Sequence, residues 1–474
     1  MNSHMDHTLV INIILFSNWF FLFYLVIYAT FLLISNLVGN VRMFQYRRKE
    51  QLQNILNHAF YSPVSIIVPA FNESLTILTT VDNLLKLDYH QYEIIVVDDG
   101  STDDTKTKMI EAFGLKRDPH RPVRYTVPCH PIKEIYSGQA AGVPIILISK
   151  ENGKCKADAS NAGINVMSCP YFVNMDADEI LQKDALQYAF RAILEDDNVI
   201  GVGGNIKISN GVAFKDAMPV SAKLGTNVVA DMQVMEYGRS FVGSRIFHNM
   251  FNANLIISGG FGVFKKSAVE QVGGFSTDSM GEDMELTMKL HSYYRKHKIR
   301  YQMKYVPDAV CWTQAPFDLK SLRKQRERWH CGLMQTIWKY RSMILNPRYG
   351  AIGMISLPYA ILYELYCPFF IVLGWFVVIA ATLLHLINMS YFIYICLLYV
   401  SFGVLLTLIS FGSKAFMKAD FITFGDIMKG VGLALLDAFF FRTYLFAIEF
   451  LAFFKFRKLQ KGWVSPERTA FKAE

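Results

Sequence analysis

The chain has 474 residues, 52% of them hydrophobic and 19% charged, with a formal net charge of +8. That length exceeds one ordinary domain, and that apolar excess excludes a simply soluble protein. The basic balance is explained by membrane flanks facing anionic lipid rather than by nucleic acid, for which no motif is present.

Taken in chain order, Leu9 to Ser35 comes first, with no charge in 27 residues. That exceeds the roughly 20 residues a bilayer span needs. It is too long for a signal-peptide core and lacks a small-residue cleavage site, so it predicts a retained transmembrane helix. Three more apolar stretches lie at 352–387, 391–411 and 431–454, leaving a mixed, aqueous region between the two ends. Arg42, Arg47, Arg48 and Lys49 follow the first span, and Lys455, Arg457, Lys458 and Lys461 follow the last. Basic flanks face the cytoplasm, so both flanks and the central region are expected there. An even number of crossings is then required after residue 350, against three apolar stretches. Either 352–387, interrupted by Pro358, Glu364 and Pro368, or 431–454, with Asp437 and Arg442, is expected to lie at the interface, re-enter or split in two.

In the aqueous region, SIIVP (65–69), EIIVV (93–97) and YFVNM (171–175) predict buried strands. Residues 75–86 predict a helix with Leu75, Leu78, Val81 and Leu85 on one face, and 103–113 a helix capped by Ser101 or Asp103. Residues 129–155 read as a polar, glycine-containing loop followed by a strand-like VPIILIS, and 184–194 as a helix. Apolar strands alternating with helices predict a parallel sheet covered on both faces. Ligands of such sheets bind beyond the C-terminal strand ends. Asp98 and Asp99 follow one strand there, and Asp176 and Asp178 another. The seven cysteines form no CxxC pair, which predicts reduced thiols.

Four segments carry chemistry. In an extended DAD, Asp176 and Asp178 share a face, and a divalent Mg2+ or Mn2+ relieves their repulsion. The plainer alternative is a turn and helix cap. Glu282, Asp283 and Glu285 open a predicted helix, where they offset its dipole. Following a glycine-rich loop, a carboxylate there is also placed for general-base work. Ser258, Gly259 and Gly260 allow close backbone approach to a ligand, or simply a tight turn. Gln325, Arg328 and Trp329 share a helix face suited to a pyrophosphate and a sugar. Lys320, Arg323, Lys324 and Arg326 equally support a basic helix lying on the membrane. Lys156 is a candidate phosphate counter-charge.

In this order VPAFNE (68–73), VVDDGST (96–102), KADASN (156–161), DAD (176–178), GED (281–283) and QRERW (325–329), then apolar spans, resemble the family 2 glycosyltransferases. The resemblance is to the processive membrane synthases of cellulose, hyaluronan and poly-N-acetylglucosamine. It covers residues 60–350, and ISGGFGVFKK with a single N-terminal span looks most like the last group. It implies an α/β GT-A-type nucleotide-sugar-binding domain between transmembrane helices, one N-terminal and three to four C-terminal, with amphipathic interface helices. The implied boundaries are 1–40 (first span), 41–315 (cytoplasmic catalytic domain), 316–350 (interface helices), 351–456 (C-terminal spans) and 457–474 (basic tail).

The resemblance implies that Asp98 or Asp99 contacts uridine, Asp176 and Asp178 hold the metal, and Lys156 assists the diphosphate. Asp283, beside Glu282, is the implied base; Gln325, Arg328 and Trp329 line the donor and acceptor site. Gly281 stands where many relatives have threonine. The implied activity polymerises a UDP-sugar onto a growing polysaccharide acceptor with inversion, UDP-N-acetylglucosamine first and UDP-glucose second. An accessory membrane subunit is left open. A single-addition transferase acting on a lipid carrier, a transporter and an inactive scaffold are the rival readings.

Overall fold

The computed structural model describes residues 2–53, 62–222, 224, 227–412 and 424–459. Of the basic tail, residues 460–474 with Lys461 lie outside the described residues, as do the side chains of Arg47, Arg48, Lys49, Arg457 and Lys458.

Twelve strands are present among the described residues: β1 Val64–Ala70, β2 Tyr92–Asp98, β3 Lys116–Arg117, β4 Ile132–Ala140, β5 Val143–Lys150, β6 Tyr171–Asn174, β7 Ile180–Leu181, β8 Val199–Ile208, β9 Val212–Lys215, β10 Met218–Ala222, β11 Gly262–Lys265 and β12 Gln302–Thr313. Ten form one sheet in the order β3-β4-β5-β2-β1-β6-β11-β8-β12-β7, and β9 and β10 form a separate hairpin. β1 and β2 are buried at every residue, as expected of strands covered on both faces. Side chains alternate across the sheet. Ile66, Ile94 and Leu147 join one core cluster, while Ile67, Ile95 and Ile148 join the other. The first cluster includes Ile77, Val81 and Phe190 from the helices Ile77–Leu84 and Ala185–Leu194. The second takes Ala159, Ala162, Leu286 and Leu290 from Lys156–Val166 and Glu282–Lys296.

The sheet is mixed, which corrects the all-parallel expectation. β5, β2, β1 and β6 run parallel, as do β8 and β12, but β11 lies antiparallel between β6 and β8. This placement organises the site. The C-terminal ends of β1, β2, β6, β8 and β12 and the N-terminal end of β11 all meet one edge.

Other expectations are corrected. The 132–140 stretch is a strand, half-exposed and antiparallel to β5, rather than loop. The helix expected from residue 75 starts at Ile77, and it buries Ile77, Thr80, Val81 and Leu84 while Leu75 is exposed. Thr80 turns inward because its hydroxyl donates to the Ala177 carbonyl at 2.7 Å. Ser101 does not cap the next helix, Thr105–Phe113; its hydroxyl accepts the Asn72 N–H at 3.0 Å. Asp103 does take the Thr105 N–H at 3.0 Å, and it also takes the Ser74 N–H at 3.2 Å. The polar loop after β2 is thereby tied to the loop after β1.

Among the described residues two helices are long and apolar enough to cross a membrane, Asn12–Arg42 and Met428–Phe456. The pair Ile352–Leu365 and Cys367–Leu383 passes the same test jointly but bends by 50°. Pro368 sits in the first turn after the break, where a missing N–H disturbs a helix least. Phe392–Leu405 is a shorter apolar helix. The N-terminal helix packs on the bent pair and on the Arg245–Asn249 helix, with the Phe31 ring 4.3 Å from Tyr359 and 5.3 Å from Phe247.

Candidate active site

A cavity of about 990 Å3 opens at that strand edge and runs toward the apolar helices. Eleven of the thirteen site residues expected from sequence line it: Lys156, Asp176, Asp178, Ser258, Gly259, Gly260, Glu282, Asp283, Gln325, Arg328 and Trp329.

Asp176 and Asp178 follow β6, with Glu179 beside them, and these acids lie close together. Glu179 is almost fully buried; burial first, then the charges of Asp176 and Asp178, pushes its pKa well above the ordinary value. A Cβ on Gly260 would stand 2.2 Å from Glu179 Oε1, so a larger residue there would push the Glu179 carboxylate aside. Lys156 answers the acids. Its Nζ lies 2.6 Å from Asp176 Oδ1 and donates to the Gly259 carbonyl at 2.7 Å. Burial alone would lower the Lys156 pKa, but the charges of Asp176 and Glu282 outweigh it and hold the ammonium protonated.

Asp283 sits in the first turn of the Glu282–Lys296 helix. Its Oδ2 accepts the Gly259 N–H at 2.9 Å and its Oδ1 the Met284 N–H at 2.8 Å. One turn on, the Thr287 hydroxyl donates to the Asp283 carbonyl at 2.8 Å and accepts the Ile257 N–H at 3.0 Å. The small-residue loop is therefore stitched to the carboxylate-bearing helix. Glu282 has its pKa raised, by burial and then by neighbouring Asp283.

The third wall is the Leu319–Lys339 helix, whose first turn is capped by Asp318 through the Lys320 and Ser321 N–H groups at 2.9 Å each. Gln325 Oε1 is enclosed and has no hydrogen-bond partner among the described residues. Arg326, grouped in the sequence with Lys320, Arg323 and Lys324 as support for a membrane-lying face, does not belong to such a face. It is buried, holds both Glu236 carboxylate oxygens at 2.6 Å, and lies 4.6 Å over the Trp329 ring. Planar guanidinium suits both contacts, and together they hold the indole at the cavity wall.

Asp98 and Asp99 do not line the cavity. Both are buried at the end of β2. Asp98 accepts the Ser101 N–H at 3.1 Å, and Asp99 accepts the Gly153 N–H at 3.0 Å and pairs with Lys150. Lys150 also holds Asp158 Oδ2 at 2.5 Å, and Asp158 takes the His130 N–H at 3.0 Å. Sequence reasoning missed Lys150, Asp158 and Glu179. The available signals were a lysine ending a long apolar strand and a third acid after DAD.

Deeper in, the cavity is lined by Tyr24, Tyr28, Tyr359 and Tyr363, and the Tyr363 ring lies 4.8 Å from Tyr24 and 4.9 Å from Tyr28. Trp375 and Tyr394, the more obvious aromatics in the apolar stretches, are instead 59% and 70% exposed.

Among the described residues no group of three or more histidine, cysteine or acidic side chains is arranged to hold a metal. The acid pair Asp176 and Asp178 still suits a hard cation that takes one or two protein carboxylates and completes its shell with phosphate oxygens.

Residues 171–409 match the model of the glycosyl transferase family group 2, and residues 65–124 that of glycosyl transferase family 2. The chain belongs to glycosyltransferase family 2 and is a glycosyltransferase. It is 28% identical over 322 residues to the poly-beta-1,6-N-acetyl-D-glucosamine synthase of Staphylococcus epidermidis, covering 66% of this chain and 67% of that one. The Staphylococcus aureus enzyme of the same name is 29% identical over 313 residues, covering 65% and 64%. The chain thus matches about two-thirds of each relative's length. Its fold is similar to the mannosyltransferase PcManGT of Pyrobaculum calidifontis, solved with GDP-Man and Mn2+, at a TM-score of 0.53 and 19% identity, covering 90% of this chain and 97% of that one.

Proposed function

We propose that this glycosyltransferase is processive and inverting, and that it builds a β-linked poly-N-acetylglucosamine from UDP-N-acetylglucosamine. One observation carries the reading. The acid pair, Lys156, Asp283 and the Gln325–Arg328–Trp329 face converge on one cavity, and that cavity continues past four tyrosines among the apolar helices. A growing glycan would occupy such an extension, and its tyrosine lining favours sugar rings over a bare lipid chain. Tyrosine faces suit sugar rings, having an apolar body and a polar tip.

In this reading Asp283 takes the proton of the acceptor hydroxyl, held toward the cleft by the Gly259 N–H. Lys156 and Arg328 balance the charge of the diphosphate. Asp176 and Asp178 hold Mg2+ or Mn2+, which when bound stabilises the departing UDP as a Lewis acid. The uridine is assigned to the C-terminal end of β2, beside Asp98 or Asp99, both of which are buried outside the cavity lining. The α-linked donor is displaced in line, so the product is β-linked. The names of the two staphylococcal relatives support N-acetylglucosamine as the sugar. We place the catalytic domain on the cytoplasmic face of a multi-pass protein of the plasma membrane, from the basic residues after the first and last spans.

The test offers purified protein a panel of UDP-sugars with Mg2+ or Mn2+ and measures UDP release. Fastest release from UDP-N-acetylglucosamine supports the reading. Preference for UDP-glucose would make the chain a β-glucan synthase instead.

A further inference from the structure

One stripe of the Leu319–Lys339 helix carries Gln325, Arg328, Gly332, Gln335 and Lys339, spaced alternately by three and four residues. Gln325, Arg328 and Gly332 line the cavity, whereas Gln335 and Lys339 do not. The last three of the stripe grip the segment that bears Asp283. The Gln335 side-chain oxygen accepts the Met280 N–H at 2.9 Å. Lys339 Nζ lies 2.8 Å from Glu285 Oε1, and the Tyr340 hydroxyl donates to the same oxygen at 2.8 Å. Between them the two backbones touch. A Cβ on Gly332 would stand 2.9 Å from Gly281 N and 3.1 Å from its Cα. The reverse is looser: a Cβ on Gly281 would meet Gly332 Cα at 3.4 Å, an ordinary contact. The constraint therefore falls on Gly332, and Gly281 is the more permissive partner.

We propose that Gly332 and Gln335 are positioning residues for Asp283. They form a seam that moves the carboxylate as one body with the helix presenting Gln325, Arg328 and Trp329 to the sugar. The proposal rests on Asp283 being the base. Gln335 lies outside the cavity lining and does not have to touch substrate, so its variants separate positioning from direct contact at Gly332. A base displaced by about 1 Å can lose about a hundredfold in rate, so a seam of this kind governs turnover rather than donor binding.

The test compares Gly332→Ala, Gln335→Met, Gln335→Glu and Gly281→Ala in the full chain, measuring UDP affinity, donor KM, kcat and its pH profile. Alanine favours a helix interior over glycine, so lost activity in folded Gly332→Ala reports the seam rather than a weakened helix. For Gly332→Ala a fall of about a hundredfold in kcat is expected, with UDP affinity and KM held within about twofold. Gly281→Ala should lose less. Gln335→Met, which keeps the bulk and removes the acceptor, should lower kcat and shift the base limb of the pH profile, and Gln335→Glu should restore most of the loss. Should Gly332→Ala not fold, the two Gln335 variants decide. Unchanged kcat and pH profile in Gln335→Met, or an equal loss of UDP affinity and kcat, would overturn the proposal. Asp283→Asn separates the two failures. Normal turnover in that variant removes the base reading itself, whereas an inactive Asp283→Asn beside a fully active Gln335→Met removes only the seam.

Discussion

Lys156 and Asp176 form an ion pair of 2.6 Å between Nζ and Oδ1 at the centre of the cleft. It joins the first turn of one helix to the acidic stretch after β6, with the Gly259 carbonyl as a further acceptor. The lysine is the built-in counter-charge of Asp176, Glu179 and Glu282, and it lines the cavity where a diphosphate would be received.

Lys156→Met should therefore weaken UDP binding. A hydrogen bond to a charged group contributes about 1.5–3 kcal/mol, which is about tenfold to a hundredfold in affinity. Titration calorimetry with UDP measures it, and Lys156→Arg should recover part of the loss. Equal affinity in Lys156→Met and the parent would remove the lysine from the donor site.

Asp178→Ala should abolish the dependence of UDP affinity on Mn2+ while leaving a weaker, metal-independent component. Binding is measured with and without the ion. An undiminished response to Mn2+ would take Asp178 out of the metal site.

Lys150 is a stability residue. Its fully buried ammonium holds Asp99 and Asp158 together at the end of β5. Lys150→Met leaves two buried carboxylates uncompensated, and removing one partner of such a pair costs about 3–5 kcal/mol. Denaturant or thermal unfolding of the variant should show it. A midpoint equal to the parent's would mean the cluster contributes nothing to the fold.

Glu93, inside β2, gives a pH prediction. Burial would raise its pKa, but the Ser168 N–H at 2.8 Å, the Ser65 hydroxyl at 2.6 Å, the Ser168 hydroxyl at 2.8 Å and Arg121 at 2.9 Å outweigh burial and hold it below its ordinary 4.5. A carboxylate with a depressed folded pKa contributes stability that is fully present above the unfolded pKa. The contribution is lost as pH falls through the folded one. The parent should thus lose stability below pH 4.5, and Glu93→Gln should be less stable at neutral pH with a flatter acid limb. Parallel pH-stability curves for the two proteins would contradict this.

Local pattern placed the acidic pairs at strand ends, Asp283 in a first helical turn and Gln325, Arg328 and Trp329 on one helix face, while their roles came from the resemblance. Three features were not legible. Residues 132–140 form a strand next to the sheet edge, covered there only by the two-residue β3, half-exposed and interrupted by Gly138, so they carry neither a buried nor an alternating signature. The insertion of β11 between β6 and β8 is a long-range pairing that no window of sequence contains. Lys150 pairs with Asp99, 51 positions away, and a lysine ending an apolar run looks like one turned to water. The tyrosines facing the cavity were hidden for a related reason. Apolar helices are aromatic on both lipid-facing and inner sides, and only packing distinguishes Tyr363 from Tyr394.

The central claim is polymerisation of N-acetylglucosamine by this chain. The direct measurement incubates purified protein with UDP-N-acetylglucosamine and Mg2+ or Mn2+, sizes the product, and digests it with hydrolases specific for β-linked N-acetylglucosamine. The account predicts long chains that those hydrolases degrade and that Asp283→Asn does not make. A single sugar on a lipid, or a polymer resistant to those hydrolases, would contradict it.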